Sequence, residues 1–267
     1  MVSFFRSLHP VIQSALAGSF TFFITLLGSG IVFFFKRVNS FIMDCMMALA
    51  AGIMISASFF SLLNPAIQLA DDFHLCTWQI VLFGFLIGGL LLFFGEKIFD
   101  YFSYHNENKI PSSLKRSIML FSSITLHNIP EGLVLGVAFG AAAITNSGLS
   151  GLLSAITLTI GIAIQNFPEG SAISLPLKRD GASIWHSFLF GSLSALVEPI
   201  FAILGAILVL RIQILLPFIM SFTAGAMIFV VLMELIPEIL QNKRKDIMSL
   251  LIMFGFSLMM ILELVLR

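Results

Sequence analysis

The stretch VIQSALAGSFTFFITLLGSGIVFFF, residues 11–35, runs for 25 positions without an Asp, Glu, Lys or Arg. A hydrocarbon layer about 30 Å thick needs roughly 20 apolar residues in helical form, so this run is long enough to cross a bilayer. The residues before it carry only Arg6 and His9. The run is too long for the apolar core of a signal peptide, and no small-residue cleavage pattern follows it. It reads as a first membrane span.

The remainder of the chain has the same character. Of 267 residues, 58% are hydrophobic and 10% are charged, against about 25% charged in ordinary soluble domains. Fourteen basic and fourteen acidic residues cancel, leaving no strongly basic face for nucleic acid. Cys45 and Cys76 form no C-x-x-C pattern and read as packing residues. The many Phe and Met residues read as lipid-facing and packing groups, and Trp78 and Trp185 fit interfacial anchors.

Applied along the chain, the length criterion gives spans at about 11–35, 39–63, 77–98, 117–144, 150–177, 182–210, 213–238 and 247–266. The expectation is an all-α integral membrane protein with eight transmembrane helices in a single domain, residues 1–267. The longest polar connection, from Glu96 to Arg116, contains the loop signals YHNENK and PSS. Cytoplasmic connections retain Lys and Arg. One side receives eleven of the basic residues, Lys36, Arg37, Lys97, Lys109, Lys115, Arg116, Lys178, Arg179, Lys243, Arg244 and Lys245, and the other only Arg6, Arg211 and Arg267. Both termini are therefore expected on the extracytoplasmic side of a cell membrane.

Asp44, Glu96, Asp100, Glu238 and Glu263 lie near span ends, where the expectation is a solvated or capping role. Glu131, Glu169 and Glu198 lie about two turns or more from either end of their spans. An ionisable group at that depth costs about 2.5–3.5 kcal/mol on insertion scales and usually faces a partner or a wet cavity. Three of them on consecutive helices are expected to converge, and their mutual repulsion then calls for a cation or bound protons.

The segments around the first two are near copies, HNIPEG at 127–132 and QNFPEG at 165–170, starting 38 residues apart. A short loop near 146–149 joins the two helices, so they run antiparallel and bring the motifs to similar depth. His127 and Glu131, at i and i+4, share a face that Asn128 borders, and Gln165, Asn166 and Glu169 repeat the arrangement. Pro130 and Pro168 should free the carbonyls of Leu126 and Ile164, and Pro199 repeats the device after Glu198. Gly132 and Gly170 allow close helix approach. Imidazole, carboxylate and amide oxygen together suit Zn, Fe, Mn, Co or Cd, and the missing thiolates disfavour Cu(I). Three carboxylates exceed the charge of one divalent ion, which points to two adjacent ions or to a proton exchanged for metal.

On these residues the sequence resembles the ZIP (Zrt/Irt-like) family of metal transporters, in its bacterial GufA and ZupT-like branch. Further likeness lies in Ala57-Ser58-Phe59 with residues 62–65, and in Glu234-Leu235-Ile236-Pro237-Glu238. The resemblance implies a 3+2+3 arrangement, with two three-helix units related by inverted pseudosymmetry and both termini outside. It also implies a binuclear site. His127, Glu131, Gln165 and Glu169 would hold one ion; Asn128, Glu131, Asn166, Glu169 and Glu198 would hold the second; Glu234 matches an exit ligand on the cytoplasmic side. Gln165 and Met233 stand where many members have histidine, and Asn166 where some have aspartate, so broad metal specificity is expected.

The expected function is transport of divalent transition-metal ions, zinc first and Fe, Mn, Co and Cd beside it, into the cytoplasm. Alternatives are a selective ion channel and an intramembrane metalloprotease, although the H-E-x-x-H pattern of the latter is absent. No resident cofactor is expected. The expected partners are the transported ion and the lipid bilayer, with a homodimer as a further option. Asp71, Asp72 and His74 are read as part of a connection, where they either gather cations or are merely solvated.

Overall fold

The computed structural model describes residues 2–34, 40–105, 112–145, 148–179, 181–240 and 243–266. The side chains of Glu96, Asp100, His127, Glu234 and Glu238 lie outside the described residues, and with them the readings given to those positions.

Among the described residues, eight helices are long and apolar enough to cross a membrane. The first, α1, is Pro10–Phe34. Next, α2 is built from Ser40–Ala57, a π-helical turn Ser58–Leu63 and Asn64–Asp72. Then come α3, Thr77–His105, α4, Ser112–Ile144, and α5, Gly148–Arg179. Helix α6 joins Ile184–Leu193 to Val197–Arg211 through a tighter turn, Ser194–Leu196. Helix α7 is Leu216–Val230, continued by a second π-helical turn, Val231–Leu235, and by Ile236–Ile239. The last, α8, is Lys245–Leu266.

Four boundaries differ from the sequence reading. Helix α2 continues to Asp72, so Asp71 and Asp72 form its last turn instead of a connection. Only His74 stands in the turn that follows, in the left-handed region at φ 54°. Helix α3 continues to His105 and α4 starts at Ser112, so most of the expected loop from Glu96 to Arg116 is helical. Leu149, expected in a loop, already belongs to α5, which Gly148 opens at φ +63°. The reason is the same in each case: hydropathy marks where lipid ends, and a helix whose hydrogen bonds are already running continues into the headgroup region.

Pro65 and Pro237 each follow one of the π-helical turns. A proline N–H is missing, so the carbonyl four residues earlier, on Ser61 or Met233, loses its usual partner. The ladder shifts by one residue instead: Asn64 N–H donates to Phe59 O and Ile236 N–H to Val231 O. Such turns are frequent at functional sites.

The helices pair closely as α1 with α5, α4 with α6, α3 with α7 and α2 with α8. Crossings of α1 with α6 and of α4 with α5 unite one group of four, while α7 against α2 unites the other. Small residues explain the intimacy within each group. A Cβ on Gly28 would stand 2.0 Å from Phe167 O, one on Gly136 2.2 Å from Ala202 O, and one on Gly225 1.9 Å from Phe85 O. At the seam between the groups, Gly161 instead faces the Met259 sulfur and the Ile53 side chain, at 3.0 and 3.4 Å from where its Cβ would lie. Within groups backbone meets backbone, whereas this contact across the seam is made by deformable side chains.

Glu263 departs from its expected span-end role. It is 1% exposed, and Ser61 Oγ donates to its carboxylate. Helix α8 lies along α2, so this carboxylate faces the π-helical turn of α2. Distance from a span end gives depth along a helix but not the face on which a residue stands.

Candidate metal centre

The duplicated motifs fall in the middle of α4 and α5, and both helices continue unbroken through Pro130 and Pro168. Glu198 lies in the first turn of the second segment of α6, just after its tighter turn. Because α4 packs on both α5 and α6, the three glutamates meet inside the first helix group. Glu131 and Glu198 are 0% exposed and Glu169 is 5% exposed. Asn128, Gln165 and Asn166 are buried with them. All six of these residues are buried in the apolar interior.

Glycine sets how closely the walls approach. A Cβ on Gly132 would lie 2.5 Å from the carbonyl oxygen of Glu198 and 2.8 Å from its Cα. On the opposite flank, a Cβ on Gly18 of α1 would lie 2.7 Å from Pro199 Cα. The Glu198-Pro199 step is thus held between α4 and α1 at backbone distance.

The polar contacts are specific. Gln165 Nε2 donates to Glu131 Oε1. Asn166 Nδ2 donates to both oxygens of Glu198, at 2.8 Å each. Thr21 of α1 lies beside Glu198 with its hydroxyl donating to Gly18 O at 3.0 Å, and Glu131 and Glu169 both lie within Coulombic reach of Glu198. Among the described residues, which leave out the His127 side chain, no three of His, Cys, Asp and Glu are drawn into a closed metal cage. Glu131 and Glu198 instead accept from side-chain amides.

Several acceptors remain. Among the described residues, Gln165 Oε1, Asn166 Oδ1 and both polar atoms of Asn128 are buried and meet no hydrogen-bond partner. Each such group costs about 1–3 kcal/mol, and native structures rarely leave them without a reason. Three buried amide oxygens and three buried carboxyl groups make up an oxygen-rich donor set. That set fits a divalent cation better than it fits a packing network, which would pair its members off.

A cavity of about 360 Å³ opens nearby. Ser61, Gln68 and Asp72 of α2 and Glu263 of α8 line one wall, and Thr145 of α4 and Ser154 of α5 line the other. It therefore lies along the seam between the helix groups, on the side reached by the α2–α3 and α4–α5 connections. Its innermost lining residues on α4 and α5, Ala138 and Leu158, are each seven residues from Glu131 and Gln165, about 10 Å along a helix. Between them stand Val134, Leu135 and Ile162, buried in one apolar cluster with Met54 and Met227. The cavity and the carboxylates are separated by this apolar layer.

Sequence reading missed two parts of this site. Thr21 carried a legible signal, because Ser14, Gly18, Thr21, Thr25 and Gly28 recur at three- and four-residue spacing and mark one small, polar face of α1. The Ser61–Glu263 contact carried none, since it joins residues 202 positions apart.

The fold and the site define a class: a multi-pass membrane protein whose apolar bundle encloses an acidic, amide-rich centre. Comparison with known proteins makes the class specific. The family described as "ZIP Zinc transporter" matches residues 105–263. Over 95% of its length the chain is 31% identical to "Zinc transporter ZIP11" of Xenopus tropicalis, covering 97% of that protein. It is 32% identical to "Zinc transporter ZIPB" of Bordetella bronchiseptica, with 94% of this chain and 80% of that one covered. It is 29% identical to "Zinc transporter GufA" of Myxococcus xanthus, over 76% and 79% respectively. The chain belongs to the ZIP family.

Proposed function

We propose that the protein carries zinc, and with it other divalent transition-metal ions, across a cell membrane toward the cytoplasm. The observation that carries this reading is the set of buried amide oxygens that meet no partner among the described residues, on the helices that carry the buried Glu131, Glu169 and Glu198. The names of its relatives support the choice of zinc. In this reading one ion is held by His127, Glu131, Gln165 and Glu169, and a second by Asn128, Glu131, Asn166, Glu169 and Glu198. Glu234 takes the ion on its way out.

A divalent ion gives up tightly bound water only where equivalent oxygen ligands replace it. Two shared carboxylates and the amide oxygens supply that replacement in a medium of low dielectric, where their attraction for the ion is largest. Gln165 and Asn166 turn their carbonyl oxygens to the ion as their N–H groups leave the carboxylates. The seam cavity is the outer approach, with Asp72 and Glu263 giving it a negative lining. The apolar layer of Val134, Leu135 and Ile162 keeps that approach apart from the site, so passage requires one helix group to move against the other. The deformable seam supports such movement, and the pairings α1 with α5, α6 with α4, α3 with α7 and α8 with α2 support an inverted 3+2+3 plan.

Purified protein reconstituted into liposomes is expected to give saturable zinc uptake, with cadmium and manganese competing. Folded, reconstituted protein that moved none of these ions would overturn the reading. The proposed orientation has its own check. Cys76 is exposed in the turn between α2 and α3, and Cys45 is half-buried near the start of α2. In intact cells a membrane-impermeant maleimide is expected to label Cys76 and spare Cys45; the reverse pattern would invert the topology.

A further inference from the structure

Away from the seam, a second cavity, of about 250 Å³, opens on the outside of the first helix group. Ala17 of α1, Phe139 of α4 and Thr159 of α5 form its floor and are buried, whereas Leu16, Phe20 and Ile160 stand at its rim, each nearly half exposed. The Thr159 hydroxyl is turned to the Ala155 carbonyl of its own helix, at 2.7 Å, so the groove presents carbon alone. Such a surface stays dry, rejects ions and takes a hydrocarbon chain. Its depth suits one. Leu16 lies six residues after Pro10, Phe139 five before Ile144 and Ile160 twelve after Gly148, which places the groove about 8–18 Å along these helices from one end of the bundle. At that level the medium beside a membrane-spanning bundle is the acyl chains of one leaflet.

The chain itself closes the shallow end. The short helix Val2–Ser7 is fastened to the bundle: the Phe5 carbonyl accepts from Gln13 Nε2 at 2.9 Å, and the Phe5 ring meets Phe139 edge-on with centroids 5.9 Å apart. Phe5 thereby lines the groove, and the next residue, Arg6, is exposed at its mouth. His9 is used differently, its Nδ1 accepting from Val11 N–H at the start of α1. The three helices that wall the groove carry no carboxylate on this half of their length, because the first acidic residue of the chain is Asp44 and none lies between Glu131 and Glu169. A cation at the mouth of an apolar groove, with no carboxylate on the adjoining turns, is complementary to an anionic headgroup whose tail fills the groove.

We propose that this groove binds one anionic phospholipid, its acyl chain lying between α1 and α4 and its phosphate paired with Arg6. The site is separate from the metal centre and independent of the transport reading. Its walls all belong to the first helix group, so the lipid fastens the N-terminal helix to that group and leaves the seam free.

The test is native mass spectrometry of the full-length purified protein titrated with phosphatidylglycerol or phosphatidylcholine of identical chains, with thermal unfolding measured alongside. The expected result is one tightly held lipid per chain and a preference for phosphatidylglycerol of about fivefold, the effect of a single basic residue beside an anionic lipid surface. Arg6→Gln is expected to abolish the preference and keep the binding of phosphatidylcholine. Ala17→Leu, which raises the floor, is expected to weaken both lipids. Arg211→Gln removes an exposed charge from the end of α6 and should change neither. Equal affinity for the two lipids, or no tightly held lipid, overturns the proposal, as does a preference that survives Arg6→Gln or is lost equally in Arg211→Gln. So does displacement by inorganic phosphate, which has no chain to place in the groove. A dimer that Ala17→Leu dissociates while lipid binding stays intact assigns the groove to a second copy of the chain and overturns the proposal too. Should Ala17→Leu fail to fold, the lipid preference of Arg6→Gln decides alone.

Discussion

Zinc uptake by reconstituted protein is expected to fall by more than about a hundredfold when either Glu131 or Glu169 is replaced by glutamine. The figure follows from the roles proposed for them. Loss of an outer group that merely orients a ligand already costs about 10- to 100-fold, and in the proposed site each of these carboxylates is a ligand shared by both ions. Glutamine rather than alanine is the informative replacement for Glu131. Its side-chain carbonyl still accepts from Gln165 Nε2, the bond that Glu131 Oε1 makes in the native chain. Folding is therefore spared while one negative charge is removed. The measurement is initial uptake rate per reconstituted molecule, with unfolding temperature recorded beside it. Uptake that persisted in both variants would remove the centre from the transport path, whatever family the chain belongs to.

Gly132→Ala is expected to be nearly as damaging, although it adds a single methyl. The new Cβ would lie 2.5 Å from Glu198 O and 3.0 Å from Phe201 Cβ. A backbone carbonyl does not swing aside as the tip of a lysine does, so α4 and α6 must part. Overpacking of this kind costs about 1–3 kcal/mol. Parting the helices also moves Glu198 away from Glu131, and misplacement by about 1 Å at a reacting centre can cost on the order of a hundredfold. Gly95 is the control. Nothing stands within 4 Å of where its Cβ would be, and Gly95→Ala should raise stability by about 0.5–1 kcal/mol through backbone entropy. Unfolding temperatures of the two variants should move in opposite directions. If Gly132→Ala unfolds and transports like the native protein, the close approach of α4 and α6 is not needed for function.

Much of the centre was legible before any coordinates. The repeated HNIPEG and QNFPEG motifs identify Asn128, Glu131, Gln165, Asn166 and Glu169 as a set, because one polar cluster in a span is ambiguous and two copies at equal depth are not. Glu198 joined them through depth alone. Glu263 failed by the same criterion: it stands close to a span end, yet α8 presents it to Ser61 of α2. The expected loop around residues 96–116 failed differently, since composition registers the loss of lipid contact and has no means of registering that helical hydrogen bonds continue. The face of α1 that packs beside Glu198 was legible in principle from its stripe of small residues, Gly18, Thr21, Thr25 and Gly28.

The sequence by itself determined that the chain crosses a membrane in eight helices and that acidic groups lie too deep to reach water, because burial in lipid penalises each charged residue locally and independently of its neighbours. Tertiary structure decided which helices pair, which donors hold Glu198, where the seam cavity runs and which face Glu263 presents. Those choices depend on backbones approaching at glycines far apart in the chain, and a contact between distant residues leaves no periodic trace in either of the segments that make it.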